Sequence, residues 1–492
     1  MRDDLPSFAI SRHIYGDNEI GAMDGGPLSS EIDAHVGVTA RRLGGDLMTT
    51  YNWMNNAANA GKDYRHANGA FLLETLKIPR DDRTKPGIVI AAMHEASLAM
   101  GATSLVTLPL QGYVAADFAG VVSPAEAAPS PRFIPVTWGS DAGGCNIPQL
   151  LRRLVDTYGG AGSPRGIAAY AFDNEPGLWA QTHPRVQREP PTIRSLIEKS
   201  LAAARAIKAI DPAAKVFGPA SWGATEMVGF QNAPDWADYR RHGSFLSAYL
   251  DAFREASERD GRRLLDALDV HWYAFHRNGD LYRGEKPELD EAKLSAPRSL
   301  DEEGFREDSW VSRALPAGAD PGLPILPSLK RLVAGEFRGT EIAITEFNYG
   351  GAGSLASGLA LADALGRFGR SGVAFAAHWG ALGGWLGEAC RLYRARGGFG
   401  DEGLAVEIQG GPEISAFAAR EAKEVRLVVI NKAETAIAVD IAFAARPARA
   451  PREAFGFDAE HVQAWVVAAD ASLVDGVVRV VLPARSARRF AL

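Results

Sequence analysis

The sequence predicts an α/β protein: a (β/α)8 TIM barrel with an additional antiparallel β-sandwich domain. Three observations carry that expectation. Eight short apolar segments alternate with helix-like stretches across residues 11–393, and eight strands are what a closed parallel barrel requires. Past about Leu392, further strand-like segments follow one another with no helix between them, the pattern of an antiparallel module. Two of the barrel segments end at a glutamate, and strand tips on one face are where such barrels keep their reactive groups.

The candidate barrel strands occupy residues 14–18, 38–46, 104–110, 167–175, 215–220, 267–273, 341–347 and 373–380. Between them, residues 192–210 place Leu196, Ile197, Leu201 and Ala204 at helical spacing, and Asp211-Pro212 is a stop signal. Residues 357–370 read as a second such helix. The Pro- and Gly-rich stretches 124–131, 279–297 and 316–327 read as long loops, of the kind that wall a cleft. The C-terminal strands are expected at 414–419, 425–431, 436–443, 462–468 and 474–482, with residues 7–10 adding one more. The boundaries that follow are a barrel over 11–393 and a sandwich over 394–492, joined by an N-terminal strand within residues 1–10.

Composition excludes several classes. With 46% hydrophobic and 23% charged residues the chain resembles soluble globular proteins, and no apolar run approaches the roughly 20 residues that span a bilayer. Lys and Arg total 53 against 60 for Asp and Glu, a net charge of −7, so no global basic field exists to hold nucleic acid. Neither Cys145 nor Cys390 has a partner at metal or redox spacing, and both are read as small buried side chains. Residues 1–6 lack the apolar core of a secretory signal, which leaves the cytoplasm open beside secretion or the cell surface, the places expected for an enzyme of a polymeric substrate. A monomer is expected.

The two glutamates lie in Asp173-Asn174-Glu175-Pro176 and Ile344-Thr345-Glu346-Phe347-Asn348, at the ends of the fourth and seventh barrel strands. Cleavage of a glycosidic bond needs a proton for the leaving oxygen and negative charge beneath the developing oxocarbenium ion. Two carboxyls in different protonation states supply both, with no cofactor. Across a barrel mouth they are expected close enough for double displacement, roughly 5–5.5 Å apart. His271-Trp272-Tyr273 and His378-Trp379, at other strand ends, offer flat apolar faces for sugar rings.

An ordered set of motifs makes the likeness specific. Arg42-Leu43-Gly44-Gly45-Asp46 is followed by Tyr51-Asn52-Trp53-Met54-Asn55-Asn56, then Gly112-Tyr113-Val114-Ala115-Ala116-Asp117. Asp173-Asn174-Glu175-Pro176 comes next with Trp179 and Thr182-His183-Pro184-Arg185, then Asp269-Val270-His271-Trp272-Tyr273, Thr345-Glu346-Phe347-Asn348-Tyr349-Gly350, His378-Trp379-Gly380 and Val428-Val429-Ile430-Asn431-Lys432. Together, over nearly the whole chain, these resemble glycoside hydrolase family 44. The resemblance implies a retaining endo-β-1,4-glucanase, often active on xyloglucan and substituted celluloses, with Glu175 as general acid/base and Glu346 as nucleophile. It further implies substrate-binding roles for Asn174, Tyr273, His271, Trp379, Trp53, Asn52 and Arg42. Met54 stands where the family has Glu and Asp46 where it has Asn. A structural calcium, carried by many members, is thereby left in doubt, and no metal ligands are assigned.

Plainer readings stand beside these. Gly44-Gly45 is read as a tight strand exit. Arg42 either pairs with a core carboxylate or supports the chemistry directly. His183 and His378 are read as satisfied hydrogen-bonding residues. Gly350-Gly351-Ala352-Gly353 lacks the Lys-Ser/Thr ending of a phosphate loop. Trp138, Trp222, Trp236 and Trp310 stand equally as sugar platforms or core. A rival reading of the whole chain keeps the barrel as a carbohydrate binder without turnover or as a hydrolase of another β-1,4-linked polymer such as mannan or xylan.

Overall fold

A computed structural model describes residues 7–19, 28–139, 143–442 and 450–492. Eight parallel strands close into a barrel: Gly16–Asn18, Ala40–Leu43, Thr103–Leu108, Ala169–Phe172, Lys215–Ser221, Ala267–Tyr273, Glu341–Asn348 and Phe375–His378. All eight coincide with the expected segments. Each strand pairs with its sequence neighbour and the last with the first, Ala377 opposite Gly16. Side chains alternate in and out along each strand. In the second strand Ala40 lines the barrel's inner core, while Arg41 points outward and bonds Asp33 at 2.8 Å, beneath the helix Ser29–Val36. Arg42 therefore turns inward again, at the mouth.

The inner core is mostly small: Ala40, Ala169, Ala171, Ala267, Ala343 and Ala377 surround Phe217 and Phe375, whose rings meet edge to face at 5.6 Å. Outside, the helix Ile193–Ile210 begins where Thr192 accepts the Ser195 N–H at 3.0 Å, and it buries Ile193, Leu196, Ile197, Ala204 and Ile207. Two expected loops contain helices. Asp290–Ser295 lies within 279–297, with Leu294 buried, and Ile325–Glu336 starts inside 316–327. Pro324 caps Ile325–Glu336 and Pro327 lies in its first turn, and Pro287 opens the turn before Asp290, positions where a missing N–H costs little. No described helix is long and apolar enough to cross a membrane.

Beyond the barrel, seven antiparallel strands form one sheet in the order Ser7–Ala9, Glu402–Leu404, Ile414–Glu421, Glu424–Asn431, Ser486–Ala491, Glu453–Asp458, His461–Ala468. Ala471–Val474, Val477–Leu482 and Ile437–Ala442 form a second, and the two enclose a core that includes Leu427, Val429, Val478, Val480 and Phe490. The expected strand 436–443 ends on Phe443, which lies outside the described residues, as do residues 1–6. Among the described residues of these two sheets, four strands had no sequence expectation. Ser486–Ala491 contains Arg488 and Arg489. Both are buried here because Arg488 bonds Asp458 and Arg489 donates to the Leu392 and Ala395 carbonyls, each at 2.8 Å.

The barrel helix Leu355–Arg370 is buried on nearly every face, since the sandwich covers its outer side. Gly366 leaves room for the Phe417 ring, and Lys432 bonds Asp363 at 3.1 Å while Arg367 bonds it at 2.9 Å. Burial alone would raise the Asp363 carboxyl, but the two cations outweigh it and hold it well below the usual range. A depressed folded pKa stabilises at every pH above the unfolded value of about 4 and loses that contribution as pH falls further. Asp363→Ala strands the buried Lys432 ammonium, while Arg367 keeps Asp301 at 2.7 Å, and is expected to cost about 3–5 kcal/mol, read as a lower midpoint in urea at pH 7. The deficit against wild type should shrink below pH 4.

Candidate active site

The fourth strand ends at Phe172, and the next three residues turn sharply: Asp173 and Glu175 both take positive φ, 56° and 43°. Such conformations cost of order 1 kcal/mol or more each and persist only where the surroundings fix them. Here Asp173 does the fixing. Its buried carboxylate accepts the Leu110 N–H, the Gln111 N–H at 3.0 Å, the Thr49 hydroxyl at 2.7 Å, the Trp179 Nε1–H at 3.1 Å and the Asn174 N–H at 2.8 Å. The Glu175 N–H then donates to the Ala220 carbonyl of the fifth strand at 3.1 Å. Sequence reasoning quoted Asp173 in its motif without giving it a role.

On the seventh strand the ladder slips twice, between Val270 and His271 against the sixth strand and between Ile344 and Phe347 against the eighth. Bulges of this kind re-aim side chains. Glu346 comes to lie opposite His271, turned into the mouth. One oxygen of Glu175, one of Glu346 and a ring nitrogen of His271 all lie within 4.8 Å of one another. His271 Nδ1 is 2.8 Å from Glu175 Oε1 and 3.4 Å from Glu346 Oε2.

Around Glu346, Arg42 Nη1 donates to Oε1 at 2.7 Å and the Tyr273 hydroxyl to Oε2 at 2.6 Å. Arg42 is itself held by Asn18 Oδ1 and Asn174 Oδ1, both at 2.9 Å, and Asn174 Nδ2 reaches Asp46 Oδ1 at 3.0 Å. Of its two sequence readings, pairing with a carboxylate holds, and that carboxylate is Glu346 itself. Gly44 and Gly45 have packing reasons beyond a strand exit. A Cβ on Gly44 would stand 2.6 Å from Arg42 Nε, and one on Gly45, at φ 79°, 2.5 Å from Trp379 Cη2. Gly44→Ala is therefore expected to push Arg42 off Glu346 and lower kcat by about 10–100-fold, with the thermal midpoint changed far less. A steady-state assay beside a melting curve checks it.

These surroundings drive the two carboxyls apart. Burial, and then the charge of Glu346, raises Glu175 well above the usual carboxylate range. Burial would raise Glu346 as well, but His271, Arg42 and the Tyr273 hydroxyl outweigh it and lower it. Burial drops His271 to about 4, so near neutrality the imidazole is uncharged and Arg42 with Tyr273 keeps Glu346 ionised. Asp46, half-buried and facing Glu175 and Asp63, is also raised well above its ordinary value, first by desolvation. The pattern is one acid and one base at the same pH, the division that acid–base chemistry on an acetal needs.

Not every expected residue arrives here. Asn52 is fully buried, its Nδ2 donating to the Ala115 carbonyl at 2.8 Å and its Oδ1 accepting the Met54 N–H at 3.0 Å. It shapes its own loop and is not at the mouth. Trp53 packs in the hydrophobic core with Nε1 on the Asn146 carbonyl at 3.2 Å, so it is not a cleft wall. In both cases adjacency in a motif suggested a shared role that the turn of the chain denies. Trp379 is half-buried over Gly45. His183 is satisfied by Thr182 and the Asn59 carbonyl, at 3.1 and 3.3 Å. Trp138, Trp236 and Trp310 pack partly buried against the core, and Trp222 lies 5.9 Å from Trp310, ring to ring.

Among the described residues, the one group of His, Cys, Asp or Glu spaced to hold an ion is Glu175, His271 and Glu346. The Arg42 guanidinium already neutralises Glu346 there. Met54, 43% exposed, presents a thioether, a poor ligand for a hard cation.

Comparison with known proteins agrees with this geometry. The sequence pattern of glycoside hydrolase family 44 matches residues 57–275. The chain is 36% identical over 484 residues to a β-mannanase/endoglucanase A of Caldicellulosiruptor saccharolyticus, and 37% over 448 residues to an endoglucanase A of Paenibacillus lautus. Those alignments take in 91% and 86% of this chain but only 35% and 62% of those proteins, so the chain spans less than two thirds of either. Among solved structures, the family 44 xyloglucanase of Paenibacillus polymyxa superposes with a TM-score of 0.92 at 33% identity, covering 99% of this chain and 98% of that one. The family 44 endoglucanase of Clostridium thermocellum gives 0.90 at 33%, with the same coverage. With its eight-stranded barrel, its covering sandwich and its paired glutamates at two strand ends, this chain belongs to glycoside hydrolase family 44.

Proposed function

We propose that the protein is a retaining, endo-acting glycoside hydrolase of β-1,4-glucan backbones, xyloglucan and cellulose derivatives among them. The observation that carries the reading is the Glu175–Glu346 pair, oxygens within 4.8 Å and proton affinities driven in opposite directions. A pair this close suits the roughly 5–5.5 Å of double displacement rather than the ~6.5–9.5 Å at which an inverting pair holds a water. Glu175 gives its proton to the leaving oxygen while Glu346 attacks the anomeric carbon, and the C–O bond breaks as the Glu346 ester forms. Glu175, now ionised, takes a proton from water, which displaces Glu346 and restores the starting configuration. Arg42 and Tyr273 hold the attacking carboxylate in line, and Asn174, braced between Arg42 and Asp46, faces the same sugar.

The steps need no cofactor, and a polymeric substrate would be met outside the cell or at its surface. The glucan backbone is supported by the xyloglucanase and endoglucanase names of the similar proteins, and mannan enters the test because one relative's name includes it. Incubation with β-1,4-glucan, xyloglucan, mannan and xylan should release new reducing ends fastest from the first two, with viscosity falling early. Proton NMR should show the β-anomer first. Tight binding without products, or first release of the α-anomer, overturns the proposal.

A further inference from the structure

We infer that Glu226 is a positioning residue for the general acid, its buried carboxyl tying the turn after Glu175 to the end of the neighbouring strand and so holding Glu175 against the leaving oxygen. This rests on the role of Glu175 proposed above. Glu226 lies in the helix Ala224–Gly229, immediately past the fifth barrel strand, and is wholly buried. Its Oε2 accepts the Trp222 N–H at 3.3 Å and lies against Gly177, where a Cβ would stand 2.8 Å away from it. The Glu175 N–H meets the Ala220 carbonyl at 3.1 Å. The exits of the fourth and fifth strands are thus joined twice, by main chain at Glu175 and by the Glu226 carboxyl two residues on.

A buried acid is a costly way to fill space. Among the described residues no cation pairs with Glu226, whose carboxyl is met by the Trp222 and Gly177 N–H groups and the Ser221 hydroxyl. An apolar side chain of similar volume would stabilise the fold at least as well. What an apolar side chain lacks is an oxygen for the Trp222 N–H beside a turn that only glycine fits. Burial raises the carboxyl well above its ordinary range, and the Trp222 N–H opposes that. Gln reproduces its shape and its acceptor.

The test compares kcat/KM on two substrates that differ in their need for a proton: a β-1,4-gluco-oligosaccharide, whose leaving alkoxide requires one, and 2,4-dinitrophenyl β-cellobioside, whose phenolate does not. Glu226→Ala should lose about 10–100-fold on the oligosaccharide through kcat, with KM little changed, and under about threefold on the aryl glycoside. Glu226→Gln should stay within about threefold on both. Should Glu226→Ala fail to fold, Gly177→Ala, which drives a Cβ onto Oε2, should show the same selective loss. Equal losses on both substrates, or none on either, overturn the inference. Wild-type protein that cleaves neither substrate overturns the glycosidase reading and this inference with it, which separates the two failures.

Discussion

Glu346→Gln is expected to remove turnover almost completely, by roughly 10⁴-fold or more in kcat, as loss of a covalent nucleophile does. An amide is close in shape to the carboxylate, so substrate should still bind with an affinity near the wild-type value. Arg42 would keep an acceptor in the amide oxygen but lose its counter-charge, leaving Asn18 and Asn174 as its other partners. An ion-paired hydrogen bond weakens to one in which only Arg42 is charged, and about 1–3 kcal/mol of stability goes with it. The protein should therefore melt a few degrees lower yet remain folded. Calorimetric binding of a cello-oligosaccharide, set beside reducing-end release, separates chemistry from folding. Appreciable turnover by a folded Glu346→Gln protein would remove Glu346 from the reaction.

Glu175→Gln should show the second largest effect, and one that depends on the leaving group. On oligosaccharides the loss is expected at about 10²–10⁴-fold, the usual contribution of a positioned general acid. On a dinitrophenyl glycoside bond cleavage should survive, and the glycosyl-enzyme should accumulate because no base activates water. Added azide, which needs no base, should then restore turnover and yield a β-glycosyl azide. The pH profile gives an independent reading. Wild-type kcat/KM should rise on the acid side as Glu346 ionises and fall on the alkaline side as Glu175 loses its proton. The first limb should be displaced downward and the second upward from an ordinary carboxylate. Glu175→Gln should abolish the alkaline limb, and an alkaline limb that stays in place would assign it to another group.

Most of the barrel was legible because its strands are short apolar runs whose ends carry their own punctuation. All eight were found, as was the helix Ile193–Ile210 to within a residue of its cap. The sandwich was less legible where burial is achieved by pairing charge. Ser486–Ala491 looks polar until Asp458 and two main-chain carbonyls are seen to satisfy its arginines. Glu453–Asp458 looks interrupted by Gly456, yet that glycine is what lets the strand approach the Ala487 carbonyl. Within the site, Glu175 and Glu346 could be picked from strand ends. Asn52 and Trp53 could not be rejected, since nothing in the order of residues says that the chain folds their polar atoms inward.

The amino-acid sequence by itself determined the alternation that makes a barrel, the change of period that makes a sandwich, and the two acidic strand ends where chemistry could occur. These follow from side-chain hydrophobicity and local backbone preference, which act over a few residues. Only the tertiary structure decided which glutamate keeps its proton. Glu175 and Glu346 differ little in isolation. Their separation in proton affinity comes from burial, from an arginine 304 residues away along the chain from Glu346, and from a tyrosine on the adjacent strand. Electrostatic energy in a dry pocket depends on distances that only folding sets.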